Sequence, residues 1–586
     1  MASLTNAAIA QAFDELGDLY ELDGADQYRV IAYRNAARSV RDASVSVAAL
    51  AREGRATELA GIGKTLDTKL QALVDEGDIP QSAKLRAKFP VGLISIMHLP
   101  GFGPKRARRL YDELGIDSLD ALRAAAESGT LRGLRGFGAK VEDNLRQILA
   151  DAPEGGPAPR ILLPRALGLA EQIAGALRTM HPHPPDRVEI AGSARRLTDS
   201  VKDIDLIATA AEPAALARAL SDLPLIESAG KPGDNAVKAV THTGMKVDLQ
   251  VVEPDQFGNV LQHLTGSKAH NVQLREAAVR RGFHVSQYGI LDDSTGETIR
   301  CATEEEVYAT LGYAWIPPEL REGRGELEAA RVSDPPTPGL PELVTVGDLK
   351  GDLHCHTTAS DGRDSVEQMA RAAMARGYEY LAITDHSASH GFGNHVTPDQ
   401  LKAQIEVVRT LNEQLEGFEL LIGTEANIHP DGSIDYDDDL LAQLDWVIAS
   451  VHTSFSMSES EMTARMVAAT EHPYVDAIGH ATGRKIETRQ PYALDVHALI
   501  ESAAATRTML EINSASDRRD LNDVHARAAA EAGVPVLIDS DAHGVNTLGI
   551  VQWGVATARR AWLTPAQVAN ARGWAEFAGL RKRARG

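Results

Sequence analysis

The chain has 586 residues, of which 43% are hydrophobic and 24% charged, as is typical of proteins built from several water-soluble domains. No apolar run approaches the roughly 20 residues that cross a bilayer. The two cysteines exclude a disulfide framework and an all-thiolate metal site. The net charge of −22 argues against a nucleic-acid partner, but residues 1–150 are neutral, with 20 basic and 20 acidic side chains, whereas residues 341–586 hold 21 and 35.

A short repeat occurs three times in residues 1–150, where the remaining pattern predicts helices. Segments of the form Leu-x-Gly-apolar-Gly begin at Leu59, Leu99 and Leu134, and basic residues follow each one. A helix that begins directly after such glycines points free backbone amides at an anion, which suits a DNA phosphate. One copy would be typical of an ordinary turn, but three copies favour DNA binding. The expected DNA-contacting residues are Gly61, Gly63, Gly101, Gly103, Lys105, Gly136 and Gly138.

Two stretches rich in proline and glycine, at 151–159 and 333–342, are typical of linkers. Strands and helices are mixed between them, and alternate after the second. The predicted domains are a helical DNA-binding region at 1–150, an α+β domain at 151–332, a linker at 333–345 and a strand–helix domain at 346–586.

The middle domain contains three aspartates suited to metal binding. Asp203 and Asp205 are two residues apart in a predicted strand, so both carboxylates project from one face, and Asp248 lies on a later strand. Three carboxylates on one sheet face are what two divalent ions, Mg²⁺ or Mn²⁺, need to activate a hydroxyl and neutralise a triphosphate. Asp-x-Asp alone is a weak pattern, but Gly192 and Ser193 precede it in a loop that can hold phosphate.

Together with the repeat, these residues resemble the family X DNA polymerases, which include polymerase beta, over residues 1–330. The resemblance implies a helix-hairpin-helix region, then an α+β nucleotidyltransferase palm with a thumb, and catalytic roles for the three aspartates. The segment from Leu264 to Asn271 also matches, and Arg275 follows it on the same helical face. The residues that the resemblance assigns to the incoming nucleotide are Gly192, Ser193, Arg196, Gly266, Asn271 and Arg275.

Three positions depart from the family pattern, and a fourth position implies an activity additional to DNA synthesis. His263 and Leu264 replace an aromatic pair that lies beside the sugar in animal members, and Lys202 stands where a glycine often approaches the triphosphate. Lys69 aligns with a lysine that in some members forms a Schiff base and excises 5′-deoxyribose phosphate, for which a desolvated amine is suited. The alternative for Lys69 is an ordinary solvent-facing lysine.

From residue 351 onward, short apolar segments that predict strands end in His, Asp or Glu, and each is followed by a helical stretch. Polar residues at the carboxyl ends of alternating strands are how a β/α barrel builds an active site. Burying so many polar side chains is unfavourable unless they bind something. The pattern therefore predicts a barrel with a ligand at one end.

The segment from Asp352 to Gly362 and the Thr-Asp-His that ends at His386 resemble the polymerase and histidinol phosphatase family, abbreviated PHP, over about 345–575. The resemblance implies a distorted (β/α)7 barrel with three divalent metals that activate water for attack on a phosphoester. Mixed imidazole and carboxylate ligands suit Mn²⁺, Zn²⁺ or Fe²⁺ better than Mg²⁺. The nine implied ligands are His354, His356, Asp361, His386, Glu425, His452, His480, Asp541 and His543.

The combination of the two resemblances matches bacterial family X polymerases. It implies a DNA polymerase that fills short gaps in base excision repair, and a metal-dependent 3′–5′ exonuclease, 3′-end-processing or AP endonuclease activity. The expected partners are gapped or nicked DNA and dNTPs, with no membrane, and the expected state is a monomer. The amino terminus lacks a basic segment and acquires acids early, which predicts a helix in place of a signal peptide and a cytoplasmic, nucleoid-associated protein.

Two alternative functions stay open from the sequence. In the first, the chain is a PHP phosphoesterase whose polymerase half has weakened into a DNA-binding platform. Lys202, His263 and Leu264 favour this alternative, and the three intact aspartates oppose it. In the second, the chain is a small-molecule phosphatase, and this alternative leaves the repeats in residues 1–150 without a role. A non-enzymatic scaffold would not need so many metal-suited side chains.

Overall fold

The computed structural model describes residues 4–99, 102–134, 137, 142, 145, 160–182, 184–332, 339–391 and 393–582. The predicted linker at 151–159 and most of the one at 333–342 lie outside these ranges. The chain divides into two compact units, each made of several segments. The first comprises Met1–Pro159, Glu171–Val188 and Lys202–Val251, and the second Arg160–Ala170, Glu189–Val201 and Val252–Gly586. No helix of the described residues is long and apolar enough to cross a membrane.

The amino-terminal part of the first unit is helical. Its first helix begins where the Thr5 side chain accepts a hydrogen bond from the Ala8 amide, and ends at Gly24 in the left-handed conformation. Phe13 and Leu16 of this helix pack in the core shared by the neighbouring helices. The helices are Asn6–Asp23, Gln27–Asp42, Val47–Arg52, Lys64–Glu76, Pro80–Arg86, Gly92–Met97, Pro104–Leu114 and Leu119–Glu127.

The middle of the chain forms an α+β region with one main sheet. In the described residues, the strand order of this sheet is β2 (Arg187–Ile190), β4 (Asp203–Thr209), β7 (Lys246–Val251), β6 (Ala236–Thr241) and β5 (Ile226–Ala229). Along β4, Ile204 and Leu206 are buried, whereas Asp203 is exposed and Asp205 half-buried. This alternation leaves one face of β4 for the core and one for carboxylates, as a period of two predicts. The other strands of this region are β1 (Ile161–Leu162), β3 (Ser200–Val201), β8 (Phe283–Ser286), β9 (Gly289–Asp292) and β10 (Thr298–Ile299). The helices are Leu163–Arg178, Gly192–Arg195, Pro213–Ser221, Phe257–Thr265, Lys268–Val279, Glu304–Thr310 and Glu326–Ala329.

The carboxyl-terminal part folds as a parallel barrel that, over the described ranges 339–391 and 393–582, has seven strands in sequential order. The His356 amide donates a 2.8 Å hydrogen bond to the Ala542 carbonyl, which brings the first strand beside the last and nearly closes the sheet. The strands are β11 (Gly351–Asp352), β12 (Tyr380–Ile383), β13 (Glu419–Asn427), β14 (Trp446–Ser450), β15 (Ala477–Ile478), β16 (Met509–Asn513) and β17 (Val536–Asp539). The predicted (β/α)7 barrel is therefore confirmed.

Short apolar strands and well-capped helices explain why this segment forms a barrel. The residues of β12 and β14 are all buried, as expected of parallel strands covered on both faces. Capping boxes at Ser365, Thr397 and Ser458 start three of the covering helices. The helices are Val366–Ala375, Pro398–Asn412, Asp438–Leu441, Glu459–Glu471, Val496–Thr506, Asp523–Glu531, Val551–Arg560 and Trp574–Ala578.

Candidate active sites

Glu425 lies at the centre of a cluster of imidazoles at the carboxyl ends of the barrel strands. It belongs to β13, and only 1% of its surface is exposed. Its carboxylate oxygens lie 2.7 Å from His386 Nδ1, 2.9 Å from His480 Nε2 and 3.2 Å from His452 Nε2. A buried carboxylate that faces three imidazoles would be suited to hold a divalent cation together with them.

A second group of ligand atoms follows β11 and β17. His356 Nε2 lies 3.0 Å from Asp541 Oδ1, and His354 Nε2 lies 3.7 Å from the same oxygen. His543 Nε2 lies 3.3 Å from Asp361 Oδ2, in the loop that follows β11. These five side chains lie in the segments that follow the two strands that close the barrel, so closure itself assembles this half of the site.

The structure brings together all nine side chains that the sequence proposes as barrel metal ligands. Eight of them fall into three overlapping groups whose ligand atoms lie within 4.8 Å of one another, and the ninth, His480, contacts Glu425. Carboxylates and imidazoles at this spacing fit divalent metals. The three groups are His356, Asp361, His386 and His543; His354, His356 and Asp541; and His386, Glu425 and His452.

The electrostatics of the cluster differ from one ligand to the next. Neighbouring carboxylates outweigh burial and raise the pKa of His354, His386 and His543, so a cation would have to displace a proton there. Glu425, His356 and His480 are already biased toward the protonation states that metal ligands need. Although burial raises the pKa of Glu425, the neighbouring His452 and His386 hold it well below its ordinary value. Burial, reinforced by the charge of His386, lowers the pKa of His356 to about 4. Burial, reinforced by the charge of Arg518, lowers the pKa of His480 to about 3. An ionised carboxylate and these two neutral imidazoles are therefore available to a cation at neutral pH.

Glu511 supports the site, and the sequence did not single it out. Its Oε1 lies 2.6 Å from His354 Nδ1, and its Oε2 accepts a 2.6 Å hydrogen bond from the His480 amide. A carboxylate behind a ligating imidazole fixes the orientation and tautomer of the ring. The available signal was a charged residue inside the otherwise buried apolar strand β16.

Replacing Glu511 with Gln is expected to weaken metal binding by about 10- to 100-fold, the usual effect of losing such a partner. His354 and the His480 amide face different oxygens of Glu511, so the single oxygen of Gln can replace only one of them, and its NH2 group, which only donates, takes the place of the other. Metal content after dialysis against graded chelator concentrations measures the change directly. Glu413→Gln, at an exposed helix end, is the control; equal metal retention by the two variants would remove Glu511 from the site.

Asp385 is a second supporting residue that the sequence did not assign. Its oxygens accept a 2.7 Å hydrogen bond from the Thr357 amide and a 2.5 Å hydrogen bond from the Ser360 hydroxyl. It also accepts one from the Gln404 side chain. Asp385 therefore fixes the loop that presents Asp361 to the imidazoles.

In the first unit, the three aspartates of the palm lie on neighbouring parallel strands. Asp205 of β4 is directly opposite Asp248 of β7, and Asp203 is two residues away on the same face. Lys238 of β6 lies 3.1 Å from Asp248 Oδ2. A cavity of about 450 Å³ is lined by Asp203, Lys238, Lys246 and Asp248. In the described part of this unit the aspartates do not form a ligand group as compact as those of the barrel.

The predicted nucleotide contacts of the second unit lie on two helices and directly after two helices. Gly192 and Ser193 belong to the Gly192–Arg195 helix and Arg196 follows it, Gly266 follows the Phe257–Thr265 helix, and Asn271 and Arg275 belong to the Lys268–Val279 helix. Gly192 and Gly266 both have positive φ, at 66°. Arg196 Nε lies 3.0 Å from Glu322. The Asn271 side chain donates a 2.8 Å hydrogen bond to the His263 carbonyl, and Arg275 Nη2 lies 3.2 Å from His263 Nδ1. His263, one of the departures from the family pattern, therefore contacts both residues expected at the base and template.

The described glycine loops of the amino-terminal region precede helices, as the repeat predicts. Gly61 and Gly103 have positive φ, and helices begin at Lys64 and Pro104. Lys105, in the first turn of the second helix, is exposed. Burial, and then the charge of Arg29, lowers the pKa of the half-buried Lys69. The predicted contacts Gly101, Gly136 and Gly138 lie outside the described residues.

The fold and the two sites define a nucleotidyltransferase joined in one chain to a metal-dependent phosphoesterase. Comparison with known families supports this class along the chain. The matching families are the helix-hairpin-helix domain at residues 4–79, the SAM-like helix-hairpin-helix tandem at 93–151, the DNA polymerase beta thumb at 260–322 and the PHP domain at 352–515.

Curated relatives extend the comparison to whole proteins. The DNA polymerase/3′-5′ exonuclease PolX of Bacillus subtilis is 37% identical over 577 residues, 98% of this chain and 99% of that protein. A probable phosphatase of Caldanaerobacter subterraneus is 36% identical over 33% of this chain and 75% of its own length. A probable phosphatase of Thermoanaerobacter sp. is 30% identical over 37% of this chain and 89% of its own length. The chain belongs to the family X DNA polymerases that carry a carboxyl-terminal PHP domain.

Proposed function

We propose that this chain is a DNA-directed DNA polymerase that fills short gaps during base excision repair, and that its PHP barrel is a metal-dependent 3′–5′ exonuclease. The complete set of nine barrel ligands, gathered around the buried Glu425, carries the exonuclease part of the proposal. The three aspartates on the adjacent strands β4 and β7 support the polymerase part. The relative that matches along 98% of the chain bears both activities in its name. The domain bounds proposed from the sequence, 1–150, 151–332, 333–345 and 346–586, assign one function to each part.

Divalent cations bound at the two sites would act as Lewis acids and lower the pKa of a reacting hydroxyl or water. In the palm, Asp203, Asp205 and Asp248 would hold Mg²⁺ or Mn²⁺. Ser193 and Arg196 bind the triphosphate of a dNTP, and Asn271 and Arg275 contact the base and the template. In the barrel, the nine ligands would hold three ions of Mn²⁺, Zn²⁺ or Fe²⁺. Glu511 orients the ligand His354, and Asp385 holds the loop that carries the ligand Asp361.

The proposed partner is gapped or nicked DNA, bound by a monomer in the nucleoid. The helices that begin at Lys64 and Pro104 have no side-chain cap, which suits binding of a phosphate by their first backbone amides, and Lys105 adds an exposed positive charge. Contacts of this kind hold the phosphate backbone without reading bases. Gap filling needs binding of this type, because the enzyme meets gaps in every sequence.

A labelled primer in a one-nucleotide gap tests the proposal. With dNTPs and Mg²⁺ or Mn²⁺ we expect extension by the gap length, and without dNTPs we expect stepwise shortening from the 3′ end. A chelator should abolish both. Matched substrates with a 3′-phosphate or an abasic site identify the preferred end. Shortening without extension under every metal would favour the alternative in which the polymerase half only binds DNA.

A second proposed activity is removal of 5′-deoxyribose phosphate by Lys69. The lowered pKa of this half-buried amine favours the unprotonated form that attacks an aldehyde. Borohydride should trap the chain on DNA that bears the 5′ sugar phosphate, and Lys69→Ala should reduce trapping by more than roughly 100-fold because the nucleophile is lost. The exposed Lys84 provides the control Lys84→Ala. Undiminished trapping by Lys69→Ala would refute the assignment.

A further inference from the structure

Residues 192–201, called the nucleotide loop below, contact side chains of the barrel within the second unit. Arg560, at the end of the Val551–Arg560 helix, donates a 2.8 Å hydrogen bond to the Arg196 carbonyl. Arg519, which follows β16, donates a 3.1 Å hydrogen bond to the Leu197 carbonyl. Arg560 is 8% exposed and Arg519 is fully buried. The backbone beside the proposed triphosphate ligand is therefore held by two buried arginines of the other catalytic domain.

Ion pairs reinforce these hydrogen bonds at the far end of the nucleotide loop. Asp199 lies 2.8 Å from Arg484 Nη1 and 3.3 Å from Arg519 Nη1. Arg484 follows β15, so arginines from three separate segments of the barrel converge on ten residues of the polymerase half. Since buried charges need partners, this arrangement restricts the nucleotide loop to one position.

Glu322 connects the barrel to the side chain of Arg196. Its Oε1 lies 2.8 Å from Arg560 Nη1 and 3.0 Å from Arg196 Nε. Burial raises the pKa of Glu322, but Arg560 and Arg196 together lower it below its ordinary value, so the carboxylate is charged. Arg560 therefore acts on both the carbonyl and, through Glu322, the guanidinium of Arg196.

The arginines are themselves fixed by groups of the barrel. Arg519 Nε donates a 2.8 Å hydrogen bond to the Thr557 hydroxyl, and Arg560 Nη2 lies 3.0 Å from Asp523. A guanidinium held on one edge presents its other edge in a defined direction, because the group is planar. The position of the nucleotide loop is thus set by the folded barrel.

We propose that the PHP barrel positions the nucleotide loop for the polymerase reaction, with Arg560 and Arg519 as positioning residues that act through Arg196 and Leu197. This inference rests on the proposed role of Arg196 in binding the triphosphate. It assigns the barrel a part in nucleotide affinity that is separate from its own metal site. The contacts described for Arg560 and Arg519 are with the nucleotide loop and with Glu322, Asp523 and Thr557, and none of them is with a proposed barrel ligand.

Arg560→Met tests the inference without leaving a buried carboxylate alone. Glu322 keeps Arg196 as its partner, and Asp523 keeps Arg324, 2.9 Å away. Gap filling by one nucleotide should show a KM for the dNTP raised by about tenfold, since hydrogen bonds of a charged group to the loop are lost. The kcat and the rate of 3′ shortening should stay at the wild-type values. Arg560→Lys, which keeps the charge, should restore part of the affinity.

Arg559→Met is the matched control from the same helix. Arg559 also joins the two halves, through Glu319 at 2.8 Å and the Val344 carbonyl at 3.2 Å, but it does not contact the nucleotide loop. The KM of Arg559→Met for the dNTP should equal that of the wild type. Melting temperatures of both variants separate a change of position from a loss of folded protein, because unfolding lowers the active fraction and not the KM.

The outcomes distinguish failure of the inference from failure of the proposed function. A wild-type chain without extension, or an Arg196→Ala variant with an unchanged KM, refutes the nucleotide role of the loop and the inference with it. If Arg196→Ala raises the KM while Arg560→Met matches Arg559→Met, the proposed function stands and the inference is overturned. A lower kcat and melting temperature at constant KM would also overturn it, because they indicate a purely structural contact.

Discussion

His356→Ala is expected to abolish 3′–5′ degradation while primer extension keeps its wild-type rate. His356 belongs to two of the three ligand groups and lies 3.0 Å from Asp541, so its removal takes a ligand from both. We expect a loss of more than about 100-fold, since loss of an outer partner alone costs up to that much. A labelled duplex without dNTPs measures degradation, and the same duplex with dNTPs measures extension.

The exposed His497 provides a control for this substitution, because it lies on a surface helix of the same barrel. His497→Ala should degrade DNA at the wild-type rate and retain the same metal content. His356→Ala should retain less metal. Degradation that is indifferent to His356→Ala would refute the exonuclease assignment and would place the activity elsewhere in the chain.

The barrel site was predictable because its ligands share one local rule. Each lies near the carboxyl end of a short apolar strand or in the segment that follows it, and parallel strands bring their carboxyl ends to the same edge of the sheet. His354 and His356 made the rule visible within a single motif. Glu511 lies near the end of β16, as Glu425 does in β13, but its carboxylate contacts the proposed ligand His354, and its position along the strand does not reveal this role. Only the pairing of the strands shows which imidazole it faces.

The palm was predictable in its pattern but not in its register. Alternation along β4 places Asp203 and Asp205 on one face, and the burial of Ile204 confirms this. The register of the three strands β4, β7 and β6 places Asp205 opposite Asp248 and brings Lys238 into contact with Asp248. The sequence pattern of each strand alone does not determine this register.

No pattern in the sequence predicts the contacts between charged residues that lie far apart in the chain. Arg560 and Glu322 lie in separate domains of the predicted organisation, and each looks like an ordinary charged residue near a helix. Arg519 lies beside another arginine, with nothing to indicate which one is fully buried. Such pairs become recognisable only when folding removes both partners from water, because exposed pairs of the same type contribute little.

Asp203→Ala is expected to reduce the rate of primer extension by at least about 10³-fold, while 3′–5′ degradation persists. A carboxylate that holds a catalytic metal contributes several kcal/mol of charge stabilisation to phosphoryl transfer. Asp203 is exposed on the open face of β4 and lines the cavity beside Asp248, so its truncation should leave the core intact. Extension of a gapped primer, compared in Mg²⁺ and in Mn²⁺, measures the loss.

The control for this variant is Asp222→Ala, an exposed carboxylate at the end of the Pro213–Ser221 helix in the same unit. It should extend primers at the wild-type rate. Mn²⁺ should not rescue Asp203→Ala, because the missing group is a ligand and not a selective contact. Extension that survived Asp203→Ala in either metal would refute the palm as the site of synthesis. Degradation that fell together with extension would show that the barrel depends on palm chemistry, which the separate ligand sets of the two sites argue against.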